Sequence, residues 1–204
     1  AKMEVIIGDP DRLRAVAEDF IKHYETRVAE GATVAGKAMF VCSNRNIAYD
    51  FYKIVKELRP EWTEKKICDD GVVLSEKDKK ELKPMEKIKL VMTRNKDDEK
   101  DLFDMLGTKE DRKEFDRQFK NPKSNFKIAI VVDMWLTGFD VPELDTIYID
   151  KPIQQHTLIQ TISRVNRVCE GKDKGLIVDY IGSKKNMNTA LKKYTNFESE
   201  EFEG

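Results

Sequence analysis

No stretch of this 204-residue chain approaches the roughly 18 to 20 consecutive apolar residues that a membrane span needs, and the amino terminus has no basic-then-apolar signal region. Both absences point to a soluble, cytoplasmic chain without a membrane partner. The three cysteines, Cys42, Cys68 and Cys169, have no metal-ligand spacing, and an odd number does not make a disulfide framework. They read as reduced and structural, and no metal site is expected. An excess of either charge is missing as well: 37 Lys and Arg against 38 Asp and Glu leave a net charge of -1, so no global cationic field argues for nucleic acid, and any such contact must be local. Internal repeats and low-complexity segments are absent too. The chain opens at Ala1 and closes in a Glu-rich tail (Glu198, Glu200, Glu201, Glu203), the look of an excised piece.

With 40% hydrophobic residues, the chain can bury one core, which predicts one domain with extensions. Asp9-Pro10 is a helix start, and Leu13, Val16, Ala17, Phe20, Ile21, Tyr24 and Val28 recur at helical spacing after it. Residues 1–33 therefore form a leading helix. Apolar runs near Ala38 to Cys42, Ile88 to Met92, Ile128 to Val132, Ile147 to Ile149 and Leu176 to Val178 predict five strands. A helical pattern through Ala48, Phe51, Tyr52, Ile54, Val55 and Leu58 follows the first. Between the second and third strands, Arg94 to Lys123 balances acidic against basic residues around Leu102, Phe103, Met105, Leu106, Phe115 and Phe119, the pattern of two solvated helices. Short unbroken apolar runs alternating with helices predict an α/β fold, with a mostly parallel sheet covered on both faces.

Chemistry concentrates between Ile128 and Gly182. Ligands of doubly wound sheets bind at the carboxyl ends of the strands, so the turns there come first. Asp133 to Pro142 offers a small hydroxyl at Thr137, a glycine at Gly138 that lets a backbone approach, and a carboxylate at Asp140. A phosphate and a ribose could both be held there; an ordinary loop with a turn glycine and a capping Asp is the plain alternative. On a helix from about Gln155 to Val168, Gln160, Arg164 and Arg167 share one polar face, and Leu158, Ile162 and Val165 share the other. Two forked, permanently charged guanidinium groups on one rigid face suit a triphosphate, with solvated surface arginines as the alternative.

Thr137-Gly138-Phe139-Asp140-x-Pro142, then Asp150-Lys151-Pro152, then Gln160-x-x-Ser163-Arg164-Val165-Asn166-Arg167-Val168, resemble motifs V and VI of superfamily 2 helicases. The wording, continued through Gly175 to Gly182, is most similar to the motor (R) subunit of type I restriction enzymes. Phe40 to Arg45 resembles motif IV, and Val91-Met92-Thr93 extends the likeness more weakly. The resemblance implies a RecA-like, P-loop NTPase-type second motor lobe over residues 34–182, with 183–204 the start of a truncated helical extension. It implies that Arg167 is an arginine finger, that Arg164 contacts the γ-phosphate, that Gln160 orders their face, and that Asp140 faces the ribose or the finger. Thr137, Gly138 and Thr93, with Ser43 and Arg45, would touch the nucleic-acid backbone. Ser163 stands where many relatives have glycine.

No G-x-x-x-x-G-K-[ST] loop occurs, so the lysine that reaches ATP phosphates, and with it the ligands of Mg2+, would lie outside this chain, in a first lobe. The expected role is half of the ATP site of a double-strand DNA translocase. Its implied partners are the first lobe and nuclease domain of the same polypeptide and separate modification and specificity subunits, and the 204-residue chain alone should be inactive. Another superfamily 2 helicase or remodeller, or an inert RecA-like scaffold module, are the competing readings. His23 and His156 read as structural or surface histidines, Trp62 as packing, and Trp135 as packing that could brace the neighbouring loop. Lys184, Lys185, Lys192 and Lys193 could line a DNA channel or face solvent.

Overall fold

Alternation along short apolar runs sends successive side chains to opposite faces of one sheet, and that alternation divides the core in two. In the computed structural model, which describes residues 2–135, 140–166, 169–172 and 175–181, the strands are β1 (Lys37–Cys42), β2 (Ile88–Leu90), β3 (Ile128–Val131), β4 (Leu144–Asp150) and β5 (Leu176–Asp179). All pair in parallel, in the order β2-β3-β1-β4-β5. The expected α/β architecture is the one found.

Ala38, Phe40 and Cys42 of β1, Ile128 and Ile130 of β3 and Tyr148 of β4 face one helical layer; Met39 and Val41, Ala129 and Val131, and Ile147 and Ile149 face the other. The first layer holds helix α2 (Pro10–Ala29), helix α3 (Arg45–Leu58) and helix α5 (Lys100–Leu106). The second holds helix α6 (Lys109–Lys120) and helix α7 (Gln155–Val165). Two short helices, α1 (Lys2–Ile7) and α4 (Glu76–Glu81), and a single 3-10 turn over Pro60–Thr63 complete the described elements.

Local chemistry sets the helix starts. Asp9 caps α2 by accepting from the Arg12 amide at 3.1 Å, with Pro10 at its first position, and Asn44 caps α3 by accepting from the Ile47 amide at 2.9 Å. Ser75 and Thr108 each form a reciprocal capping box, with Asp78 and Asp111. Helix α2 is built into the core. Phe20, with 0% exposure, meets Tyr148 at 4.7 Å and Phe40 at 5.1 Å between ring centres, and burial of a side chain that size contributes about 1.5–3 kcal/mol.

The elements depart from the sequence expectation in several places, first in the leading segment 1–33, which holds two helices, α1 and α2, because Asp9 and Pro10 start a new one. β4 runs seven residues where only Ile147 to Ile149 was expected, because Asp145 and Thr146 look polar yet are buried. The Asp145 carboxylate accepts from the Val34 amide at 3.0 Å and from the Thr146 hydroxyl at 2.9 Å, and faces Arg27, so its polar atoms are satisfied inside. β2 stops at Leu90 rather than Met92. Helix α7 ends at Val165; the expected continuation to Val168 runs into residues outside the described ones, as does the expected extension 183–204. No helix among the described residues is long and apolar enough to cross a membrane.

Candidate functional site

Because every strand is parallel, the segments following β1, β2, β3, β4 and β5 all emerge on one edge. From β1 the chain moves outward to β2 and back to β3 on one side, then crosses to β4 and β5 on the other. After β1 it turns into α3 on the first face; after β3 it passes to the second, where Trp135 and Val141 pack. Chains diverging in this way leave a crevice at the switch point. A crevice of about 200 Å³ lies there, lined by Arg45 after β1, Val91, Met92 and Thr93 after β2, and Val132, Asp133 and Met134 after β3.

The expected site residues divide into three groups. Arg45 and Thr93 share the crevice, and Ser43 stands two residues from Arg45 on the same loop. The polar side-chain atoms of Arg45 and Ser43 are already engaged within the chain. Nη2 of Arg45 donates to both Asp98 oxygens at 2.7 Å, its Nη1 donates to the Thr93 carbonyl, and the Ser43 hydroxyl donates to the Asp150 carbonyl at 3.1 Å. The Thr93 side chain is exposed. Asp140 is also exposed, and stands on the stretch leading to the opposite edge, where Lys172 donates to the carbonyls of Pro142 and Leu144 at 3.1 and 3.0 Å. Gln160 is exposed on α7, whereas Thr161 and Val165 are buried and Leu158 packs on the second core layer. Thr137, Gly138 and Arg167 lie outside the described residues, as do the side chains of Arg164 and Ile162.

The approach to the Thr137 segment is built tightly. Lys151, just past β4, donates through Nζ to the Val132 carbonyl at 3.0 Å and pairs with Asp133. Trp135 has φ of +67°, a left-handed backbone that a bulky residue adopts only under constraint. Its ring stacks on Phe119 at 5.3 Å and tilts against Phe126 at 6.4 Å, so aromatic packing holds the turn. The far end of α7 is set by Gly175: a Cβ there would lie 2.3 Å from the Val165 carbonyl oxygen. Only glycine lets β5 start that close to the helix.

A larger depression, about 530 Å³, opens between the carboxyl ends of β4 and β5 and the start of α7, lined among others by Lys151, Gln154, Leu158 and Asp179. Its size falls within the range of small-molecule sites, about 300–1,000 Å³, and that of the crevice falls below it. A crevice of that size could touch a ligand but not enclose one.

Sequence reading missed Arg12 and the role of Asp150. The Asp150 side chain is fully buried at the end of β4, and Arg12 of α2 forks onto it, Nη1 to Oδ2 at 3.1 Å and Nη2 to Oδ1. The hydrogen bond to Asp150 raises the Arg12 pKa against the cost of burial. Partners so far apart in sequence leave no local signal; the one hint was a carboxylate ending an apolar strand. Cys42 is wholly buried, and burial first, then the Asp150 charge, push its thiol well up, so it is no nucleophile. His23 shares a 2.6 Å hydrogen bond with Tyr148, and burial, then the Arg27 charge, lower its pKa, in keeping with a structural role.

The family model for domain 3 of the type I restriction enzyme subunit R matches residues 34–182. The chain is 38% identical over 196 residues to the HindI endonuclease subunit of a type I restriction enzyme of Haemophilus influenzae, covering 95% of this chain and 17% of that protein. It is 45% identical over 87 residues to the SauCOLORF180P endonuclease subunit of Staphylococcus aureus, covering 40% of this chain and 9% of the relative. The fold is similar to a fragment structure assigned to an HsdR subunit of a type I restriction enzyme from Vibrio vulnificus, with a TM-score of 0.53 and 16% identity over 88% of this chain and 30% of that one. The chain thus spans less than a fifth of the length of these curated relatives.

Proposed function

Because the chain belongs to the type I restriction enzyme subunit R domain 3 family, we propose that it is the second motor lobe of an ATP-driven double-strand DNA translocase within such an enzyme, working in the cytoplasm. The observation that carries this reading is the crevice at the switch point, where the motif IV-like loop (Arg45), the Val91 to Thr93 segment and the residues leading into the Thr137 loop converge on one edge.

In this reading the exposed Thr93 hydroxyl, with Thr137 and Gly138, meets the DNA backbone, and Arg45 serves by holding Thr93 in place through its carbonyl. Ser43 fixes the start of that loop on β4. Arg164 and Arg167 face the triphosphate, Gln160 orders them, and Asp140 orients toward the ribose or the finger. The sequence holds no G-x-x-x-x-G-K-[ST] loop, so in this reading the chain completes an ATP site whose larger part, together with the Mg2+ ligands, belongs to the first lobe. ATP supplies the phosphoryl group whose transfer to water drives movement; this chain's share is positioning and charge stabilisation. Cleavage would belong to a nuclease domain elsewhere in the subunit, and target choice to the modification and specificity subunits.

The test compares ATP hydrolysis, with and without double-stranded DNA, by the full-length subunit and by the 204-residue chain. DNA-stimulated turnover by the subunit and none by the chain is expected. Turnover by the chain alone would show that it holds a whole site, and a full-length subunit without DNA-stimulated turnover would remove the motor reading.

A further inference from the structure

One guanidinium on the first-face helix reaches the carboxyl edge and touches three segments at once. Besides its fork on Asp150, Arg12 donates to the Ile7 carbonyl at the end of α1 at 3.0 Å and to the Tyr180 carbonyl just past β5 at 3.2 Å. Asp150 is a junction in turn. Its side chain is 0% exposed, its main-chain carbonyl accepts the Ser43 hydroxyl, and the next residue, Lys151, holds Val132 and Asp133 at the crevice. A fork of this kind on a wholly buried carboxylate has one good geometry, because a planar guanidinium matches a carboxylate with two parallel N–H donors. A rotation of α2 must carry Asp150 with it or break the pair.

We infer that Arg12 and Asp150 are a positioning pair: they lock the leading helix to the carboxyl edge, so that the loops after β1 and β3 keep the register required for DNA-coupled ATP hydrolysis. The inference rests on the motor reading above. Neither side chain lines the crevice; each acts through Ser43 and Lys151. Their contribution is to the rate of the assembled site, since an error of about 1 Å in the placement of reacting groups can cost about 10²-fold.

The experiment uses the full-length subunit and double-stranded DNA of mixed sequence, below the temperature at which any variant begins to melt. Arg12→Lys keeps the charge and loses the fork. Its kcat for DNA-stimulated ATP hydrolysis is expected to fall about tenfold or more, with KM for ATP and DNA affinity within about twofold of the unaltered subunit. Asp150→Asn is expected to act alike, and the double variant to be no worse than the poorer single one, as for residues that act as a unit. Lys151→Met leaves the buried pair intact and cuts its arm to Val132 and Asp133; it is expected to lower kcat without lowering the melting temperature. This arm holds even where a substitution at the buried pair impairs folding. Loss of DNA affinity at unchanged kcat, additive effects of Arg12→Lys and Asp150→Asn, or full activity in Lys151→Met would each overturn the inference while leaving the motor reading in place. An unaltered subunit without DNA-stimulated hydrolysis would take both down.

Discussion

Nη2 of Arg45 lies 2.7 Å from both carboxylate oxygens of Asp98, and the same carboxylate accepts the Asn95 amide at 2.7 Å. The loop after β2 is thereby pinned to the start of α3. The Asp98 side chain is 9% exposed and that of Arg45 31%, so the pair is screened on one side only. Asp98→Ala in the 204-residue chain is expected to cost about 1–2 kcal/mol, the value of a charge-assisted contact discounted for the exposed partner. Burial opposes ionisation of Asp98, but the Asn95 amide and Arg45 outweigh it and hold the carboxyl below its usual value. The contribution is then fully present above the ordinary Asp pKa of about 3.9 and fades as pH falls through the lower folded value. Urea denaturation of both proteins should show a gap at pH 7 that narrows below about pH 4; a gap constant from pH 7 to pH 2 would mean that the carboxylate is not what matters.

Lys37 makes the opposite case. Its side chain begins β1 at 1% exposure, with Nζ donating to the Phe126 carbonyl and lying 5.2 Å over the Phe119 ring. Burial first, then the Lys127 charge, lower its pKa well below the usual value. The folded chain therefore binds fewer protons here than the unfolded one, and stability at this position falls as pH drops from about 10.4 toward the folded value. Lys37→Met is expected within about 1 kcal/mol of the unaltered chain at pH 7, with only the Phe126 and Gln118 carbonyls losing a donor, and at a growing disadvantage as pH approaches 10. A large loss at pH 7 that does not grow with pH would show a charged amine held by carbonyls.

Gly175→Ala tests how α7 is seated. The added methyl would sit 2.3 Å from the Val165 carbonyl oxygen and 2.4 Å from its carbon, both backbone atoms that cannot swing away. Overpacking of this kind costs about 1–3 kcal/mol. In the full-length subunit, the displaced helix should also lower ATP turnover at a temperature where the variant is folded. Unchanged stability in denaturant titration would mean that β5 and α7 separate freely.

What the sequence revealed of this fold depended on how locally each element was written. β1, β3 and β5 were legible because nothing polar interrupts Ala38 to Cys42, Ile128 to Val131 or Leu176 to Val178. The first half of β4 was not, because Asp145 is satisfied by Arg27 and Val34 from a distant part of the chain and Thr146 by Asp145 in turn. Helices α1 and α4, six residues each, are too short to show a period. At the site, motif-like spacing led to Arg45 and Thr93, which the fold does bring together, but it could not reveal that Arg45 is held by Asp98, nor that Arg12 meets Asp150 from 138 residues away. Such pairings exist only once the sheet has formed.

The central claim is that this chain completes an ATP site with an arginine, and Arg167→Lys in the full-length subunit tests it most directly. Lysine keeps the positive charge and loses the planar fork, so the variant separates charge from geometry. Steady-state ATP hydrolysis with saturating double-stranded DNA, measured beside DNA affinity, is the readout. An arginine finger is worth about 10³- to 10⁵-fold in rate, so turnover is expected to fall by about 10³-fold while DNA affinity stays within about twofold. Unchanged turnover, or a loss confined to DNA affinity, would contradict the assignment.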